Sequence, residues 1–180
     1  DNKKFHYLGL YLSLLAKLNI KIETKKHYLP FIPNSNNIFL NKKYLLFHLD
    51  KRWETFPLKV RDNLKRKITS LSYDNKIVVT SNIGCNNFYN FIKKKLLNSS
   101  NIEFYDEPTL DSIISLVYFS ETCISSHSGL IVHTAAAFNK KIIDIVHDEI
   151  FNELDRWVPF DTNYKRYNVQ NFLDESFKFA

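Results

Sequence analysis

The chain has 180 residues, a formal charge of +6, 44% hydrophobic and 15% aromatic residues. That length suits one domain with a sizeable core, and no apolar run approaches the ~20 residues that would span a bilayer. The charge invites a nucleic-acid or anionic-membrane surface, but lysine and asparagine are spread along the whole chain and arginine is scarce, so a solvated basic surface is expected and no nucleic-acid partner.

In chain order, Phe5 to Leu18 reads as a helix with one apolar stripe at Phe5, Leu8, Leu12 and Leu15 and a second at Tyr7, Tyr11, Leu14 and Leu18. Asn19 is expected to stop it. Residues 25–41, with Pro30 and Pro33, read as an extended connector. Residues 1–41 are therefore taken as helix plus connector, and 42–180 as the domain proper. Tyr44 to Leu49 is an apolar run of strand length that empties into Asp50-Lys51-Arg52-Trp53-Glu54. Pro57 then opens an amphipathic helix to about Lys67. Lys76 to Thr80 is a second strand, leading into Ser81-Asn82-Ile83-Gly84 and a helix from Asn87 to Leu97. Lys93-Lys94-Lys95 complement the dipole at that helix's end. Ile102 to Tyr105 is a third strand, and Thr109 caps a helix carrying Leu110, Ile113, Ile114, Val117 and Tyr118.

The next stretch looks built for a ligand. A short apolar run, Thr122 to Ser125, enters the polar turn Ser126-His127-Ser128-Gly129. A helix follows from Leu130 to Phe138, Asn139 is a left-handed stop, and Lys141 to Val146 is a strand. A helix that starts at such a turn offers unpaired N–H groups and partial positive charge to an anion, most often a phosphate. Ser128 is placed to cap the helix, and Gly129 lets a ligand approach the backbone. Beyond Val146 the pattern turns irregular and charged, with His147-Asp148-Glu149 and a surface pair at Asp155-Arg156. Asn168 to Phe177 reads as a closing helix.

Strands alternating with helices predict an α/β fold: a Rossmann-like, doubly wound parallel sheet with helices on both faces. Five strands in the order 3-2-1-4-5 would put a ligand crevice at the carboxyl ends of strands 1 and 4. Lys51 and Arg52 would then face His127, Ser128 and Gly129 across that crevice. Trp53 reads as a packing residue that fixes its loop. His133, on an apolar helix face, stands between core and site. His127 and His133 do not share a helical face and no carboxylate is placed near them, so no metal is expected. The chain has no Asp-x-Asp pair, no Gly-x-Gly-x-x-Gly and no Gly-x-Ser-x-Gly elbow. Cys85 and Cys123 fall in no metal or redox spacing and read as free thiols of a reducing, cytoplasmic compartment. A chain that begins at Asp1 and contains no methionine is expected to be a piece of a longer protein.

These residues resemble the second half of glycosyltransferase family 9, the lipopolysaccharide heptosyltransferases, which are two-domain GT-B enzymes. The resemblance rests on a strand followed by Lys51-Arg52-Trp53, then strand–helix pairs, then Ser128-Gly129 with His133 and Ala135-Ala136-Ala137. Leu18-Asn19-Ile20 resembles that family's inter-domain turn, and Trp157-Val158-Pro159 its late Trp-x-Pro. The resemblance implies one half of a GT-B architecture that binds a nucleotide-diphospho-sugar donor as substrate, with no cofactor. It implies Lys51, Ser128 and Gly129 as diphosphate contacts, with His133 in the helix below them. The implied partners are a glycan or glycolipid acceptor, an N-terminal domain that this chain lacks, and peripheral contact with the inner face of the membrane. Four departures stand out, the first being one extra residue between Gly129 and His133. His127 occupies the position of the family's donor-facing Asp. The loop before Lys51 is shortened to Leu49-Asp50. The acid expected after strand 2, toward the ribose, is missing, and Ser81, Asn82 and Asn86 stand near there instead. Three classes of function remain open: a donor-binding half of a transferase, a non-catalytic domain of the same fold, and a basic nucleic-acid module.

Overall fold

Short apolar runs become strands because most of their side chains bury in an apolar cluster on one face of the sheet or the other. In a computed structural model describing residues 14–19, 43–82, 87–106, 108–152, 157–159 and 163–176, they are β1 (Leu45–His48), β2 (Ile77–Thr80), β3 (Ile102–Tyr105), β4 (Thr122–Ser125) and β5 (Lys141–Val146). A sixth, β6 (Tyr164–Asn168), adds to the five expected. Its sequence, Tyr-Lys-Arg-Tyr-Asn, is too polar to read as a core strand. At the sheet's edge, partial burial is enough to hold it. All pairings are parallel, in the order β3-β2-β1-β4-β5-β6. The order reverses between β1 and β4, as the doubly wound reading requires.

The helices are α1 (Leu58–Leu71), α2 (Asn87–Leu96), α3 (Leu110–Phe119), α4 (Gly129–Ala137) and α5 (Val169–Asp174). α1 runs past the expected Lys67 because Ile68 and Leu71 continue the buried stripe begun at Leu64. The closing helix is shorter than expected: Asn168 belongs to β6, and the helix stops at Asp174. Asn168 caps it, accepting from the Asn171 N–H at 2.8 Å. Thr109 caps α3 as its sequence position implies, accepting from the Ser112 N–H at 3.2 Å. Asn139 ends α4 in the left-handed region at φ 54°, and Asn19 follows helical residues 14–17 at φ 57°. The rest of the expected leading helix and connector lies outside the described residues, as do Cys85, Asn86, Asp155 and Arg156.

Side chains alternate between the two faces of each strand. Leu45, Phe47, Val79 and Ile143 pack against α1, α2 and α5. Val78, Leu46, Cys123 and Ile142 form one register row that packs under α3 and α4. The Cys123 thiol is free and fully buried, and burial pushes its pKa up to about 12, so it behaves as a small apolar residue. Among the described residues, no helix is long and apolar enough to cross a membrane.

Candidate functional site

Two loops leave the carboxyl edge of the sheet from neighbouring strands. β1 and β4 are adjacent and parallel, with His48 opposite Ser125. The loop after each therefore leaves at the same level of the same edge. One loop is the 3-10 turn Lys51–Thr55, and the other is Ser126–Gly129 at the head of α4.

The first loop is anchored from below. Asp50 caps the turn: its Oδ1 accepts from the Arg52 N–H at 2.9 Å, and its Oδ2 accepts from Arg52 Nη1 at 2.7 Å. Trp53 is completely buried. Its Nε1–H donates to the His48 carbonyl at 3.0 Å, and its ring stacks on Phe88 with centroids 5.8 Å apart. Trp53 is thus the packing residue expected. Glu54 Oε1 accepts from the Asn87 N–H at 2.8 Å, so a carboxylate stands at the head of α2 although none lies in the described residues just after β2. Arg52 is committed in part to Asp50, and Lys51 is exposed on top of the anchored turn.

The second loop is fastened to β5. His127 sits in the left-handed region at φ 50°, a conformation that costs a non-glycine residue about 1 kcal/mol or more. One carboxylate holds it there. Asp144 Oδ1 accepts from the His127 N–H at 2.6 Å, and Oδ2 lies 2.9 Å from Nδ1. Oδ2 also accepts from the Tyr164 hydroxyl at 2.7 Å, and that hydroxyl accepts from Arg166 Nε at 3.3 Å. Burial first, and then Asp144, raise the Tyr164 pKa well above the phenol range, so the hydroxyl keeps its proton. Because Nδ1 faces Asp144, Nε2 is turned away from it.

Ser128 occupies the cap position of α4, but its hydroxyl makes no capping bond, contrary to expectation. The leading N–H groups of α4 are left to other acceptors at this edge. Gly129 is exposed, and nothing lies within 4 Å of where a Cβ would stand, so the backbone is open to approach there. His133 is neither core nor apolar-face residue. It lies on the outward side of α4 with Leu130, which is 41% exposed.

Ser81 is buried, whereas Asn82 is exposed and its Oδ1 accepts from His48 Nε2 at 2.8 Å. That bond fixes the tautomer and leaves Nδ1 as a bare acceptor. Burial lowers the His48 pKa and keeps the ring neutral. Thr80, His48, Ser125 and Asp144 form one buried polar row across β2, β1, β4 and β5, on the face that carries α4. The atoms Thr80 Oγ1, His48 Nδ1 and Ser125 Oγ have no partner from the protein. Sequence reading missed this row and Tyr164. The available signal was a carboxylate inside the apolar run Lys141–Val146, since a buried charge requires dedicated partners. Among the described residues, no three histidine, cysteine or carboxylate side chains gather as a metal site would need.

No family model and no curated protein matches the chain. Solved structures share its architecture. A family 9 glycosyltransferase from Veillonella parvula superposes with TM-score 0.67 at 10% identity, covering 95% of this chain and 51% of that one. A UDP-GlcNAc 2-epimerase from Methanocaldococcus jannaschii gives TM-score 0.51 at 15% identity over 72% of this chain and 35% of that one. The Escherichia coli heptosyltransferase WaaC gives 0.49 at 15% identity over 63% and 36%. The chain spans between about a third and a half of those proteins. Its fold is the Rossmann-like α/β fold that forms one half of a GT-B protein, as in the family 9 glycosyltransferase.

Proposed function

We propose that the chain is the donor-binding half of a GT-B glycosyltransferase. It takes a nucleotide-diphospho-sugar as substrate and serves transfer of the sugar to a lipopolysaccharide or other cell-surface glycan or glycolipid. It does so without a metal or other cofactor, in the cytoplasm, with its basic surface against the inner face of the membrane. The observation that carries the reading is that the turn bearing exposed Lys51 and the open head of α4 follow adjacent parallel strands where the strand order reverses. The names of the fold neighbours, a glycosyltransferase and a UDP-GlcNAc epimerase, support it.

As the bond between the sugar and the diphosphate breaks, negative charge builds on the leaving phosphate. Lys51 and the N–H groups of α4 stabilise that charge in place, which lowers the barrier more than it tightens ground-state binding. His127, turned outward by Asp144, touches the phosphate or the sugar. The proton of the acceptor hydroxyl goes to a base on the domain that faces this crevice. A non-catalytic binding domain of the same fold is the second reading, favoured by His127 standing where the family resemblance implies an acid.

Calorimetric titration with ADP, UDP, GDP and CMP sugars tests the proposal. One class is expected to bind, and Lys51→Ala to weaken it about ten- to a hundredfold, the range for losing a charged hydrogen bond. Unchanged affinity would remove Lys51 from the site. Absence of heat with every donor, even with the partner domain restored, would leave the non-catalytic reading.

A further inference from the structure

The two loops at this edge follow β1 and β4, yet both are fastened to β5 or to the residue just after it. Asp144, on the α4 face of that strand, holds the His127 turn through two hydrogen bonds. His147, the first residue beyond β5, holds the lysine turn. Its Nε2 lies 2.6 Å from Thr55 Oγ1, and the same hydroxyl lies 2.6 Å from the Arg52 carbonyl. A hydroxyl has one proton to give. Arg52 O only accepts, so the hydroxyl donates there and His147 Nε2–H donates to Thr55. The imidazole also stacks on Phe56, with centroids 4.0 Å apart and planes 13° from parallel. The relay His147 to Thr55 to Arg52 closes the turn on which Lys51 stands. Since β4 lies between β1 and β5, the lysine turn reaches past the end of β4 to make this contact.

We infer that Asp144 and His147 are positioning residues that set the gap between Lys51 and the head of α4, and that this gap selects a diphosphate over a single phosphate. The inference rests on the crevice being the nucleotide-diphospho-sugar site. A ligand with two phosphates is gripped by both loops only when their separation matches it. A ligand with one phosphate engages one loop and does not sense the gap. Preorganised spacing of this kind favours the bidentate ligand without adding a contact.

The test measures affinities for pyrophosphate against phosphate, ADP against AMP and UDP against UMP, with melting temperatures on the same samples. His147→Phe keeps the stack on Phe56 and deletes the donor. Thr55→Val deletes the hydroxyl, and Thr55→Ser keeps it. The diphosphate-to-monophosphate affinity ratio is expected to fall about three- to tenfold in His147→Phe and in Thr55→Val, the effect of one hydrogen bond, and to survive in Thr55→Ser. The double variant should fall no further, because both changes break one relay. Asp144→Asn should lower the ratio in the same direction from the other loop. An unchanged ratio, or an equal loss of both ligands, overturns the inference while leaving the crevice as a donor site. Failure of the unmodified protein to bind any of the diphosphates overturns the donor-site reading as well.

Discussion

At the scale of single residues, the least ordinary group is a neutral histidine shut off from bulk solvent. His48 is fully buried, and its pKa lies below the ordinary value near 6.5 because burial penalises the charged ring. The unfolded chain takes up this proton first as pH falls. Stability is therefore fully present above about pH 6.5 and declines below it, by up to about 1.4 kcal/mol per pH unit, until the native ring also protonates. Urea midpoints from pH 7.5 to 5 should show a steeper acid loss in the unmodified protein than in His48→Gln, and parallel curves would remove His48 as the cause. Some of the candidate site's local structure was legible residue by residue. Lys51 beside an apolar anchor at Trp53, and Gly129 at a helix head, are local patterns. The role of Asp144 was not, because its partners lie on the turn after β4 and on β6, brought together only by the pairing of three strands.

At the scale of elements, the 3-10 turn Lys51–Thr55 does more than join β1 to α1. Trp53 wedges it against Phe88 and Phe56, Glu54 caps α2, and Arg61 reaches back to the Glu54 carbonyl at 3.0 Å. Truncating Trp53→Ala removes the wedge from a fully buried site. It should cost about 3–5 kcal/mol, the range for deleting a large buried aromatic. Chemical denaturation checks this, and a loss below about 1 kcal/mol would mean that the turn is held by its caps alone. Helix ends were legible where a side chain announces them, as at Thr109 and Asn139. They were not at α1, whose end is set by burial of Ile68 and Leu71 against the sheet. β6 was not legible either. A strand that pairs on one side needs no apolar run, and its Tyr164 divides its side chain between the core and a hydrogen bond to Asp144.

At the scale of the whole molecule, the doubly wound sheet followed from regular alternation of apolar runs, and its order is as expected with one strand added. Among the described residues, part of the positive charge is tied up in ion pairs. Lys76 pairs with Glu103, Lys93 with Asp106, and Arg52 with Asp50. Fluorescence anisotropy with a DNA duplex should therefore find nothing tighter than general nonspecific attraction, roughly 10⁻⁴ to 10⁻⁶ M at physiological salt. Tighter binding that collapses as salt rises would restore the nucleic-acid reading. The placement of β6 also bears on how copies of this molecule behave toward one another. Among the described residues it is one of the two outermost strands, and an outermost strand presents bare backbone groups to any extended segment nearby. Here that border carries Lys165 in solvent beside Arg166. Two such borders repel each other on approach, so the molecule is guarded against fibrous stacking at the place where its ladder stops.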